Sequence, residues 1–168
     1  LIFSGVMVTA LPYLWLDVLV TILWVVGITN ALNLLDNMDG LSGSVAFVCG
    51  GALLILALQT NQLFIAGFVL AMMAAALGFL FFNLPPATIF MGDTGSMFLG
   101  YMLATATALS TFMTADRLNP LFPAFVPLII FAVPLYDTVS VLLIRLHYGR
   151  PPLSGDRNHL SHHLHRLG

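Results

Sequence analysis

Long apolar runs separated by short polar breaks organise this chain, and the runs approach the length that a lipid bilayer demands. A helix crossing the hydrocarbon layer needs about 20 predominantly apolar residues. Five stretches come close to or reach that length: Leu14–Leu34, Gly43–Leu58, Leu63–Phe82, Met97–Met113 and Phe122–His147. Residues 1–13 are too short to span and read as the end of a preceding element. The breaks carry ordinary chain punctuation. Asp39-Gly40 closes the first helix, Pro85-Pro86 closes the third, and Gln59-Thr60-Asn61-Gln62 makes a tight hairpin between the second and third. Pro127 and Pro134 fall inside the fifth run and predict kinks, which neighbouring helices can tolerate by re-satisfying the freed backbone groups. No internal repeat and no soluble domain interrupts the pattern. The expected fold is all-α: a polytopic transmembrane helix bundle of about five spanning helices with a cytoplasmic tail.

Composition agrees. Of 168 residues, 60% are hydrophobic and 7% charged, where a soluble domain carries roughly 25% charged residues. All acids are Asp and all bases Arg. Nucleic acid is not expected as a partner, while the lipid bilayer is. The lone Cys49 excludes an intrachain disulfide and reads as a small core residue.

Counting crossings assigns sides. The breaks at 35–42 and 83–96 and the tail at 148–168 share one face, and 59–62 and 114–121 share the other. Arg150, Arg157 and Arg166 lie in the tail and Arg145 just before it, whereas Arg117 is alone on the opposite face. The positive-inside rule makes the arginine-rich face cytoplasmic. That face also carries Asp36, Asp39, Asp93, Asp156 and all the histidines.

Three polar constellations collect there. In the first, Asn30, Asn33 and Asn37 recur at helical spacing and Asp36 and Asp39 follow at the helix end. A single asparagine would read as interhelical hydrogen-bond glue, but so many costly polar groups at a membrane boundary point to function. The second is Phe90-Met91-Gly92-Asp93-Thr94-Gly95-Ser96. Its glycines allow close backbone approach to a ligand. Thr94 or Ser96 is expected to cap the following helix and leave N–H groups for an anion. Phe90 offers a ring to a planar group or packs at the membrane interface. The third, Asp156 to Arg166, interleaves His159, His162, His163 and His165 with Arg157 and suits phosphate. Zinc is the competing ligand there. Asp137, inside the fifth helix, reads equally as a buried structural carboxylate or a site residue.

With these motifs in place, the chain resembles the polyprenyl-phosphate N-acetylhexosamine-1-phosphate transferases of glycosyltransferase family 4. Asn30 through Gly43 is similar to the family's Asn-Ala-x-Asn-x-x-Asp-Gly-x-Asp-Gly-Leu motif, with Asn37 standing in place of the usual Gly. Pro86 through Gly100 is similar to its Pro-Ala-x-x-Phe-Met-Gly-Asp-Thr-Gly-Ser signature, with Thr88 where many members carry Lys or Arg. Asp156 through Leu164 resembles the Asp-Arg-x-His-Leu-x-His motif of the N-acetylglucosamine-type branch.

The resemblance implies the C-terminal part of a membrane enzyme at the bacterial cytoplasmic membrane, with its site facing the cytoplasm. Undecaprenyl phosphate would attack a UDP-N-acetylhexosamine, UMP would leave, and cell-envelope polysaccharide synthesis would follow. It implies Mg²⁺ as cofactor, with Mn²⁺ as substitute, held by Asp93 with Asn33 as second contact. Asp36, Asp39, Asp93 and His159 are the catalytic candidates. Asn30, Asn33, Phe90, Arg157, His162 and His163 are the substrate-binding ones. A homodimer is a candidate assembly. In the family an adjacent-aspartate motif, the proposed base, lies in a preceding half, so this segment by itself is expected to be inactive. The competing readings are a membrane transporter, for which only Asp137 and the helix-five prolines argue, and a metal-binding membrane subunit using the histidine tail.

Overall fold

The computed structural model describes residues 13–110 and 122–147. These residues form an all-α bundle of six helices: α1 (Leu14–Leu35), α2 (Leu41–Gln59), α3 (Leu63–Asn83), α4 (Gly92–Leu109), α5 (Phe122–Ile130) and α6 (Ala132–His147). Among them α1, α2 and α3 are long and apolar enough to cross a membrane. Their outer faces carry exposed Leu19, Leu23, Ile55, Leu70 and Phe81, the apolar exterior that a lipid-facing bundle requires. The expected histidine tail, with Arg157, His159, His162 and His163, lies outside the described residues.

Helix boundaries differ from the sequence expectation where it matters most. α4 begins at Gly92 instead of Met97, so Asp93 and Ser96 belong to its first turns and not to the preceding loop. Neither Thr94 nor Ser96 caps it. The capping position is Met91, with no side-chain cap, and the Ser96 hydroxyl instead bonds back to the carbonyls of Gly92 and Asp93. A glycine-rich, weakly apolar segment does not look helical in isolation, but packing against α1 holds it so. The first helix ends at Leu35, ahead of Asp39-Gly40, and Gly40 with φ +73° is the capping position before α2.

α1 packs along α4 about as extensively as α2 does along α3. Ser96, Gly100 and Ala104 recur every fourth residue on α4, and small side chains at such spacing let helix backbones approach closely in membranes. The approach is extreme at Gly100, where an added Cβ would lie 2.7 Å from the Thr29 Cα. One end of this contact is pinned by Trp24, whose indole N–H donates to the Thr107 hydroxyl at 2.8 Å. The Trp24 ring also packs edge-on against the fully buried Phe131, at 5.8 Å between centroids.

The fifth apolar run breaks at Phe131 into α5 and α6, near the prolines expected to kink it. Pro134 lacks the N–H that would serve the Ile130 carbonyl one turn back. The Cys49 thiol of α2 donates to that carbonyl at 3.2 Å. Cys49 is thus a hydrogen-bonding part of the kink as well as the small core residue expected. Replacing Cys49 by Ala should lower stability by about 0.5–1.5 kcal/mol, the net worth of one hydrogen bond, whereas Cys49→Ser should retain most of it. Thermal unfolding in detergent reads the difference, and equal losses in both variants would refute the bond's role.

Candidate functional site

The α1–α4 crossing determines what stands at its polar end. One helical turn beyond Thr29 on α1 is Asn33, and one turn before Gly100 on α4 is Ser96. The Asn33 amide Nδ2 donates to Asp93 Oδ1 at 3.1 Å and to Ser96 Oγ at 3.0 Å. Ser96 is fully buried while Asp93 is exposed, so the base of this cluster is packed and its carboxylate is open. The backbone N–H of Gly92, a residue held at φ +63°, acts on the Asp36 carboxyl just past the end of α1 and favours its charged form. Residues 60 positions apart in sequence thereby meet in one site.

The electrostatics of the site centre on Asp36. Burial pushes the Asp36 carboxyl above the usual carboxylate range, and the neighbouring Asp93 pushes it further, against the lowering effect of the Gly92 N–H. Because folding raises this pKa, ionised Asp36 weakens the folded state as pH rises through the carboxylate range. A cation beside the two carboxylates would reverse that sign.

The loops on either side are tied together. Asp39 Oδ2 accepts the Ala87 N–H at 3.1 Å. Asn83, at the end of α3, accepts the Gly40 N–H with Oδ1 at 3.0 Å and donates through Nδ2 to the Ile89 carbonyl at 2.8 Å. Phe90 follows directly, its ring 77% exposed and available for stacking.

The predicted residues thus divide. Asn33, Asp36 and Asp93 converge. Asp39 and Phe90 sit on the two loops beside them. Asn30 does not join the cluster: its amide donates to the Val26 carbonyl on its own helix, and Asn37 likewise bonds the Leu34 carbonyl. Asp137 is fully buried within α6. Asn83 and Ser96 were missed as site builders, because neither spacing nor charge marks a residue whose role is to hold others.

The family profile described as "Glycosyl transferase family 4" matches residues 2–111, which includes both motifs that form this cluster. The chain belongs to glycosyl transferase family 4. It is 38% identical over 154 residues to "Probable undecaprenyl-phosphate N-acetylglucosaminyl 1-phosphate transferase" of Bacillus subtilis (strain 168), covering 92% of this chain and 42% of that protein. It is 34% identical over 153 residues to "Undecaprenyl-phosphate alpha-N-acetylglucosaminyl 1-phosphate transferase" of Yersinia pestis, covering 89% and 41%. It is 44% identical over 109 residues to "Phospho-N-acetylmuramoyl-pentapeptide-transferase" of Chlamydia muridarum (strain MoPn / Nigg), covering 61% and 32%. The chain spans about two fifths of the length of the first and second of these relatives.

Proposed function

We propose that this family 4 segment holds the metal and diphosphate in transfer of N-acetylhexosamine-1-phosphate from a UDP-sugar to undecaprenyl phosphate. UMP would be released, and the lipid-linked product would enter cell-envelope polysaccharide synthesis. The observation that carries the reading is the Asn33–Asp93–Asp36 cluster: two carboxylates brought together at the end of a close helix crossing, one of them with a raised pKa. Perturbed carboxylates in such a position mark functional sites. The names of the relatives support the reaction class.

The donor set fits magnesium. The converging groups are carboxylate oxygens, the ligands of a hard cation. Among the described residues no group of three or more His, Cys, Asp or Glu forms a protein-only metal cage. One or two carboxylates completed by substrate phosphates and water are the pattern Mg²⁺ favours. Asp93 and Asp36 would hold it, and Mn²⁺ would suit the same oxygens. When bound, the ion neutralises charge on the diphosphate, on which phosphoryl transfer depends.

The chain's own residues orient the reactants. Asn33 spends its amide N–H groups on Asp93 and Ser96, so it fixes the direction of the Asp93 carboxylate. Asp39 locks the loop carrying Ala87. The exposed Phe90 ring gives uracil a stacking face. Arg157, His159, His162 and His163 would hold the phosphates through charge-assisted hydrogen bonds. The site would face the cytoplasm of the bacterial inner membrane, where the arginine bias of the sequence points.

A full-length protein carrying this segment should release UMP from UDP-N-acetylglucosamine only when undecaprenyl phosphate and Mg²⁺ are both present, and a chelator should stop it. Solute uptake into vesicles without UMP release would overturn the reading in favour of a transporter.

A further inference from the structure

Asn83 makes no hydrogen bond to either carboxylate of the cluster, yet it joins the loop that leaves Asp36 to the loop that leads into Asp93. It is buried, with 4% of its surface exposed, at the last position of α3. Its Oδ1 takes the N–H of Gly40, four residues after Asp36, and its Nδ2 gives to the carbonyl of Ile89, four residues before Asp93. Both partners are backbone groups at points where the chain is between helices. Gly40 is the residue ahead of α2, and its own carbonyl receives the Ser44 N–H in the first turn of that helix. Ile89 begins the approach to Phe90 and to α4. By contrast, Thr88 bonds back to the Phe82 carbonyl at the end of α3, and Asn37 has a bond back to the Leu34 carbonyl at the end of α1. The Asp39–Ala87 bond is a second tie between the same loops, but it is exposed.

A carboxamide is required at this point. It presents one acceptor and one donor in a rigid fork. Aspartate would keep the acceptor for Gly40 but set a second oxygen against the Ile89 carbonyl. Alanine would leave a buried N–H and a carbonyl unserved, at a cost felt by both loops.

We propose that Asn83 is a positioning residue that sets the separation of Asp36 and Asp93, and so the affinity of the site for a divalent cation. The proposal rests on the cation reading above and deepens it. A misplacement well below the size of a water molecule is enough to weaken such a site, because Mg²⁺ tolerates little departure from its preferred geometry.

The test uses a full-length protein carrying this segment and Mn²⁺ or Mg²⁺ alone as the titrated probe. Asn83→Ala and Asn83→Asp should each raise the half-saturating cation concentration by about tenfold or more, with part of the lost turnover recovered at saturating cation. Cys49→Ala is the comparison, since it removes a hydrogen bond to the Ile130 carbonyl that involves neither carboxylate; it should lower thermal stability with no change in half-saturation. If the Asn83 variants behave like Cys49→Ala, with lower stability and an unchanged cation curve, Asn83 is a structural clasp only and the proposal falls. If the unsubstituted protein shows no saturable cation effect, the proposed function falls and takes this inference with it. If it shows one that the Asn83 variants reproduce, the function stands and the inference alone is overturned.

Discussion

Asp93→Asn in a full-length protein carrying this segment should cut UMP release by about 10²–10³-fold or more, the scale on which removal of a preorganised charge-stabilising group acts. The substitution is nearly isosteric. The new side chain keeps an oxygen for the Asn33 N–H, now 3.1 Å from Asp93, so the hydrogen-bonded frame with Ser96 should survive. What disappears is the charge. The stability effect should be small, because two contributions oppose. A negative charge in the first turn of α4 favours the helix by about 0.3–1 kcal/mol. Against that, its repulsion of Asp36 is relieved. A second readout follows from the same geometry: with Asp93 neutral, the pKa of Asp36 should fall back towards the ordinary carboxylate range, since Asp93 is the second of the two causes that raise it. Thermal unfolding confirms retention of the fold, and UMP release measures the loss. Ordinary Mg²⁺-dependent turnover in this variant would sink the proposed function.

Gly100→Ala should be the most damaging single-methyl substitution in the bundle. Its Cβ would stand 2.7 Å from the Thr29 Cα and 3.2 Å from the Ile28 carbonyl oxygen. These are backbone atoms with no side-chain freedom to yield, so α1 and α4 must part. Overpacking of this kind costs about 1–3 kcal/mol. The damage extends beyond stability, because the Asn33–Asp93 and Asn33–Ser96 bonds lie one turn along from the contact and lengthen as the helices separate. Reduced thermal stability together with reduced UMP release is the expected result. Gly67→Ala and Gly78→Ala on α3 are the controls, since a Cβ at either position meets nothing within 4 Å. There alanine should be neutral or stabilising by up to about 1 kcal/mol, through helix propensity. Indifference at Gly100 matching that at Gly67 would show that the close crossing is not needed.

The Asp36 shift gives a direction for pH. Cation and proton compete for the same oxygens, so apparent cation affinity should fall as pH drops through the raised Asp36 range, and removal of Asp93 should move that fall to lower pH.

Much of the fold was legible because membrane helices announce themselves. The runs at Leu14–Leu34 and Leu63–Phe82 match α1 and α3 to within a residue at each end. Punctuation by Pro127 and Pro134 foretold the interrupted fifth run. The miss at α4 has a physical cause. Gly92, Thr94 and Gly95 are poor helix formers, and the bonds from Asn33 of α1 to Asp93 and Ser96 in the same turns are long-range contacts that local sequence does not reveal. The carboxylates were legible as charges too costly to be idle at a membrane boundary. Their partners were not. Three asparagines shared a predicted face, yet it is Asn33 that bonds Asp93 and Ser96, whereas Asn30 finds a carbonyl on its own helix.

By itself, then, the sequence determined the all-α bundle, the apolar exterior, the family motifs and the identity of the residues with chemistry to offer. The bundle and its polar residues follow from composition and spacing, which are local properties, and the motifs from resemblance to a known family. Only the tertiary structure decided which of them meet. That depended on the depth of the α1–α4 approach at Gly100, the helical start at Gly92 and the clasp at Asn83. Each is a relation between segments 40 or more residues apart, or between a side chain and a backbone group whose position no local pattern encodes.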